Sequence, residues 1–220
     1  MTWIVCNSPD GRGGFLDAGF EKDPSLERWA QLEVEEQADY SDVFHGKQRA
    51  LTVNDIELEK LPRTLILQKS YKQIRDLCWA EGGQIVISDA LRQIIEAHDP
   101  GQHIIWEQVI RTKRKGPKPG PFFGLIIGPR ASAIVEKGDD LQITPERFNE
   151  AIGTISAHTS PRIARLRTFR AWIDPSNVPQ QHLWWDHGLT RPYLLMSDTL
   201  HDAIVEAELK VIPMKRCKEI

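Results

Sequence analysis

The sequence predicts a mixed α+β or α/β fold, with helices packed on a mixed sheet and two similar strand-helix-strand units in one chain. The main observation is an internal repeat. Ile85-Val86-Ile87-Ser88-Asp89-Ala90-Leu91-Arg92-Gln93-Ile94-Ile95 and Leu194-Leu195-Met196-Ser197-Asp198-Thr199-Leu200-His201-Asp202-Ala203-Ile204 each pass from an apolar run through a Ser-Asp pair into a helical pattern. Leu91, Ile94 and Ile95 stand at i, i+3 and i+4, as do Leu200, Ala203 and Ile204, while the upstream runs are short and aliphatic, as buried strands are. A second observation is that strand-forming runs follow both helices, at His103 to Ile110 and Lys210 to Cys217. The length, 220 residues with 40% hydrophobic and 27% charged, suffices for one large core or for one core with a smaller lobe. The expected division is an N-terminal lobe over residues 1–80 and an α/β domain over 81–220, which can form one continuous globular unit.

The elements follow in chain order. Trp3 to Cys6 reads as a strand, and Asp10-Gly11-Arg12-Gly13-Gly14 as a loop, because repeated glycines anchor no packing. That loop lacks the Lys-Ser or Lys-Thr of a P-loop and the spacing of a dinucleotide fingerprint. Leu26 to Tyr40 is an acidic stretch containing Glu33, Glu35, Glu36 and Asp39, expected to be helical in its first part around Trp29 and Leu32. Ile74 to Trp79 shows helical apolar spacing and ends near Gly82-Gly83, which suits a helix C-terminus. In the repeats, Ser or Asp at the helix start accepts hydrogen bonds from the orphan N–H groups of the first turn, and Asp also complements the helix dipole.

Arg111 to Pro121 is the most basic stretch, carrying Arg111, Lys113, Arg114, Lys115 and Lys118 among prolines and glycines that argue against regular structure, so a loop is expected. Phe122 to Ile127 resumes a strand. Thr144-Pro145-Glu146-Arg147 has the marks of a helix start, with Phe148, Ala151 and Ile152 as its inward stripe and Gly153 closing it. Arg162 to Trp172 alternates arginines with apolar residues and reads as arginine stems over a core edge. Pro213 marks the last run as an edge strand.

Composition excludes several classes. A net charge of -3 gives no bulk attraction to nucleic acid or anionic membrane. Cys6, Cys78 and Cys217 have no C-x-x-C spacing, which argues against a zinc site and a disulfide framework and for reduced thiols in a cytoplasm. The N-terminal residues lack a signal-peptide pattern, no segment approaches a membrane span, and a cytoplasmic protein is expected. His182, Asp186 and His187 have metal-ligand atoms without metal-ligand spacing, and the pair His98 and His103 lacks a carboxylate partner in the sequence pattern. There is no Gly-x-Ser-x-Gly elbow, so neither a catalytic residue nor a metal or cofactor is expected.

Ile85 to Ile110, Phe123-Gly124-Leu125-Ile126-Ile127-Gly128-Pro129-Arg130-Ala131 and Arg191 to Cys217 together resemble immunity-protein family eleven of bacterial polymorphic toxin systems. The likeness lies in the hydrophobic strand with its Ser-Asp helix start and in the closing strand with Ser-Asp-x-Leu. It implies a non-catalytic antitoxin that binds and neutralises a cognate toxin protein. Aromatic and arginine anchors, here Trp184, Trp185 and Arg191, suit such an interface. Glu33, Glu35 and Glu36 suit a basic toxin such as a nuclease. The alternative from another class is a nucleic-acid-binding regulator that uses Lys113, Arg114, Lys115 and Lys118.

Overall fold

A computed structural model describes residues 1–5, 15–47, 52–112, 116–135, 147–149, 154–156, 171–188 and 192–220. The first part contains β1 (Thr2–Val5), β2 (Ala18–Phe20), α1 (Val34–Phe44), β3 (Thr64–Leu67), β4 (Leu77–Trp79), β5 (Ile85–Ser88) and α2 (Asp89–His98). The middle contains β6 (His103–Thr112), β7 (Gly116–Pro117), β8 (Phe122–Ile127), β9 (Arg130–Ala131), β10 (Ile134–Val135), β11 (Arg147–Asn149) and β12 (Thr154–Ser156). The last part contains β13 (Trp172–Ile173), β14 (Leu183–Asp186), β15 (Tyr193–Ser197), α3 (Asp198–Glu206), β16 (Met214–Arg216) and β17 (Lys218–Glu219). The fold is mixed α+β: one sheet runs β2-β3-β6-β8-β5-β4 with β7 added to β6, and another runs β16-β1-β15-β14-β9.

The repeat is real in three dimensions, and it is larger than the sequence shows. In the first unit β8 lies between β5 and β6 and is antiparallel to both, so the strands before and after α2 are parallel but not adjacent. In the second unit β1 lies between β15 and β16 in the same way. Each unit also has an outer strand forming a hairpin with its first strand: Leu77, Cys78 and Trp79 face Ile87, Val86 and Ile85, while Leu183, Trp184 and Trp185 face Met196, Leu195 and Leu194. Matching registers therefore equate Leu77 with Leu183 and Trp79 with Trp185. The helices α2 and α3 pack on each other, and the equivalent pairs Leu91/Leu200, Ile95/Ile204 and Ile87/Met196 meet in one buried cluster. Even the inserted strands correspond: Phe123 of β8 carries the Arg92 guanidinium 4.8 Å over its ring, and Trp3 of β1 stacks on His201 at 3.6 Å.

Both Ser-Asp pairs cap their helices. Ser88 Oγ accepts from the Leu91 N–H at 3.3 Å and Ser197 Oγ from the Leu200 N–H at 3.2 Å, with Asp89 and Asp198 in the first turns. Ser88→Ala and Ser197→Ala should each cost about 1 kcal/mol. Urea denaturation checks this, and unchanged midpoints would remove the caps from the stability account.

Four expectations change. Residues 77–79 form β4 rather than the end of a helix, because Leu77, Cys78 and Trp79 are all buried and bond β5; Gly82 and Gly83, at φ 68° and 80°, make the tight return between the strands. The helix of the acidic stretch begins only at Val34, since Arg28–Gln31 is a single 3-10 turn that tucks Trp29 into the core. The basic stretch is regular where it is described: β6 extends through Thr112, and Gly116-Pro117 pairs back onto Thr112 and Arg111, because strand pairing satisfies these backbone groups. Residues 147–149 are a strand paired antiparallel with 154–156, so backbone pairing with a neighbouring segment replaces the helix that the capping signals predict. Asp10–Gly14, Thr144–Glu146, Ala151–Gly153 and Arg162–Arg170 lie outside the described residues.

Strands from residues 1–80 enter both sheets. β1 is central in the second unit, and β3 runs parallel to β6 with Leu65 opposite Ile110. α1 adds Tyr40, Val43 and Phe44 to a cluster with Trp29, Leu61, Trp106 and Ile126, which fixes its orientation on the β8 side of the larger sheet.

Candidate functional site

Two acidic segments, the start of α1 and the 3-10 turn Leu58–Lys60, are joined through Lys60. Glu33 precedes the helix in extended conformation, and Glu35 and Glu36 occupy its first turn, where carboxylates favour the positive end of the helix dipole. Because Tyr40, Val43 and Phe44 point into the core, the opposite side of α1 faces solvent, and Glu33, Val34 and Glu35 are exposed. Lys60 joins the two elements: its ammonium lies 2.9 Å from Glu36 and 2.7 Å from Glu57. Hydrogen bonding to Glu57, and then to Glu36, holds the Lys60 pKa above the ordinary lysine value. Burial pushes the Tyr40 phenol up, partly offset by a backbone hydrogen bond from the Glu57 residue, which places that turn directly over α1.

Glu33 and Glu35 on the first segment and Glu57 and Glu59 on the second are exposed, and Lys60 is already shared between carboxylates. Each segment also exposes one apolar side chain: Val34 is 76% exposed and Leu58 50% exposed. An acidic run interrupted by a lone leucine, as at Glu57, Leu58 and Glu59, is a readable signal in the sequence. The joining of that turn to α1 depends on the Lys60 bridge, which no local pattern announces.

The tryptophan anchors are corrected. Trp184 is 0% and Trp185 4% exposed. Trp184 packs with Ile4, Ile134, Ile173 and Leu195, and Trp185 packs against Trp79 with ring centroids 5.8 Å apart. Adjacent residues on a strand point to opposite faces, and both faces of β14 are covered, so neither ring is available to a partner. Arg191 lies outside the described residues, as do Lys113, Arg114 and Lys115. Lys118 is half-buried and donates to the Tyr71 carbonyl at 2.9 Å, tying the hairpin to the preceding loop.

The histidine-rich region forms structural bonds. Asp99 and His103 pair at 3.2 Å, the His98 and His182 rings meet edge to face at 5.3 Å, and His182 Nδ1 lies 2.7 Å from Ser197 Oγ. Asp186 accepts N–H groups from Ala133, Ile134 and Gly188 at 2.7, 3.1 and 2.9 Å. Burial, aided by nearby Arg130 and opposed by Asp186, lowers the His187 pKa and favours the neutral ring. Burial pushes the Cys78 thiol up to about 12, which keeps it protonated and unreactive. Among the described residues no group of three His, Cys, Asp or Glu has metal-holding geometry, and no helix is long and apolar enough to cross a membrane. The sequence matches no protein-family model and no curated protein.

Proposed function

We propose that this chain is a non-catalytic immunity protein of the cytoplasm that neutralises a cationic toxin, a nuclease for example, by covering it with the acidic face of α1. The observation that carries the reading is the exposure of Glu33 and Glu35 at the start of α1, beside a second acidic turn whose lysine is already shared between Glu36 and Glu57. A rigid helix supplies the platform, since α1 is pinned from below by Trp29, Phe44 and Trp106. Inhibition by occlusion needs about 800 Å² of complementary surface per partner and no reacting group. The carboxylates speed encounter, and the two apolar side chains provide contacts that exclude water.

The direct test is co-expression with a toxin domain sought among the genes neighbouring this one, read as growth rescue and as a co-purifying complex. Protection and a stable complex support the proposal; toxicity unrelieved by the wild-type chain overturns it. Glu33→Lys combined with Glu35→Lys should slow association about tenfold at low salt, and less at high salt, with circular dichroism unchanged. Association rates by surface plasmon resonance check this. Retained DNA or RNA binding that disappears with Lys113, Arg114, Lys115 and Lys118 replaced by Ala, without any toxin complex, would replace the immunity reading by the nucleic-acid one.

A further inference from the structure

On the second unit, away from the acidic face, lies a groove of about 530 Å³ between the loop before β4, α3 and the stretch 209–214. Its polar lining consists of Gln73, Arg75, His201 and Lys210, and among the described residues no carboxylate lines it. Residues 209–214 supply an apolar wall of Leu209, Val211, Ile212, Pro213 and Met214. Volume, apolar wall and a few convergent polar groups are what small-ligand sites have in common.

The cations are held in place. Arg75 spends one N–H on the Val211 carbonyl at 3.1 Å, which leaves donors of its five-donor fork for a ligand. The Lys210 backbone is fixed at both ends by Asp76, whose carboxylate accepts the Lys210 N–H at 2.7 Å and whose own N–H donates to the Lys210 carbonyl at 2.8 Å. Its ammonium reaches the neutral Gln73 amide, at 2.9 Å. His201 lies flat on Trp3, and the neighbouring Asp202 carboxylate accepts from its Nδ1 at 2.9 Å. The nearby carboxylates thus bond a backbone N–H, in Asp76, and the His201 ring, in Asp202, and neither is among the residues that line the groove.

Counted from the two cap serines, Lys210 corresponds to Gly101 and His201 to Arg92, so the Lys210 cation is particular to the second unit. Arg92 is neutralised by Asp89 and Glu96 at 2.8 and 2.5 Å, whereas Arg75 and Lys210 have no carboxylate in the groove to do the same. We propose that the groove binds a small amphipathic organic anion, its charged head at Arg75 and Lys210 and its apolar body along 209–214.

Titration of the full chain with octyl phosphate, octanoate and inorganic phosphate, followed by proton–nitrogen correlation NMR, tests this. Saturable shifts confined to residues 73–76, His201 and 209–214 are expected with the octyl compounds, and weaker binding with inorganic phosphate, which has no apolar body. The relative affinity of the two octyl probes separates a phosphate head from a carboxylate head. Arg75→Gln and Lys210→Gln should each weaken binding about tenfold, the loss of one charge-assisted contact. Glu33→Lys with Glu35→Lys should leave it unchanged, so this result is independent of the toxin experiment. No saturable shift with either octyl probe, or shifts mapped elsewhere, overturns the proposal. Wild-type titration decides the matter even if a glutamine variant fails to fold, and undiminished binding in folded variants also overturns it.

Discussion

Asp99→Ala should destabilise the protein by about 3 kcal/mol, because two backbone N–H groups lose their acceptor at about 1 to 3 kcal/mol each. Asp99 sits just beyond α2, with its carboxylate buried, and accepts from the backbone N–H groups of His182 at 2.8 and 3.0 Å and of Leu183 at 2.8 Å, besides facing His103 at 3.2 Å. One side chain of the first unit therefore holds the start of β14 in the second. The mirror contact exists: Asp76, just before β4, holds Lys210 beyond α3. These reciprocal clamps join the units, and removing Asp99 leaves buried N–H groups without acceptors. For a chain of this size a loss of that magnitude lowers Tm by roughly 10 °C. An unchanged Tm in Asp99→Ala would show that the clamp contributes nothing.

The same residue gives a pH dependence. Burial alone raises the Asp99 carboxyl, but the His103 hydrogen bond, the His182 and Leu183 N–H groups and the His103 charge outweigh it, and the net position is below the ordinary value of 3.8. A carboxyl depressed on folding stabilises the protein above its unfolded pKa, and this contribution is lost as pH falls through the folded value. Asp99→Asn, which keeps an acceptor oxygen and the volume, should therefore be less stable than wild type at pH 7, and the gap should narrow as pH drops below about 4. Urea midpoints across this range check the sign; a gap that widens in acid contradicts it.

Trp185→Ala should cost about 3 to 5 kcal/mol, the usual loss for a truncated core tryptophan, without acting on partner binding in molecules that remain folded. Trp79→Ala should behave alike, because matched registers put the two rings in equivalent places and in contact, 5.8 Å between centroids and inclined by 37°. A double-mutant cycle should then give a coupling energy of about 0.5 kcal/mol or more between Trp79 and Trp185. Trp184→Ala should be as destabilising yet uncoupled to Trp79, since its ring lies in the other cluster with Ile4 and Leu195. Wild-type stability of Trp185→Ala together with lost partner binding would return that ring to the interface.

The chain is most legible where structure is local. Ser88 and Ser197 as caps, Leu91/Ile95 and Leu200/Ile204 as inward stripes, and His103 to Ile110 and Phe122–Ile127 as strands all follow from spacing within a few residues. Errors arose where a short apolar run was decided by distant partners. Leu77-Cys78-Trp79 fits a helix by spacing but is a strand because Ile85–Ile87 offers it hydrogen bonds and burial. Glu33, Glu35 and Glu36 were legible as an acidic run, whereas Glu57 is brought to Glu36 only through Lys60.

By itself the sequence determined a mixed sheet with packed helices, α+β or α/β, the duplicated strand-cap-helix unit and its helix starts, because hydrophobic period and capping act between neighbours along the chain. Tertiary structure alone decided that the class is α+β, that β8 and β1 are inserted between the repeat's strands, that the units clamp each other through Asp99 and Asp76, that Trp184 and Trp185 are core, and that Lys60 bridges Glu36 and Glu57. Those outcomes depend on contacts between residues tens to nearly two hundred positions apart, such as Trp3 with Asp198 at |i−j| = 195, and local periodicity carries no record of which distant strand fills a gap or covers a ring.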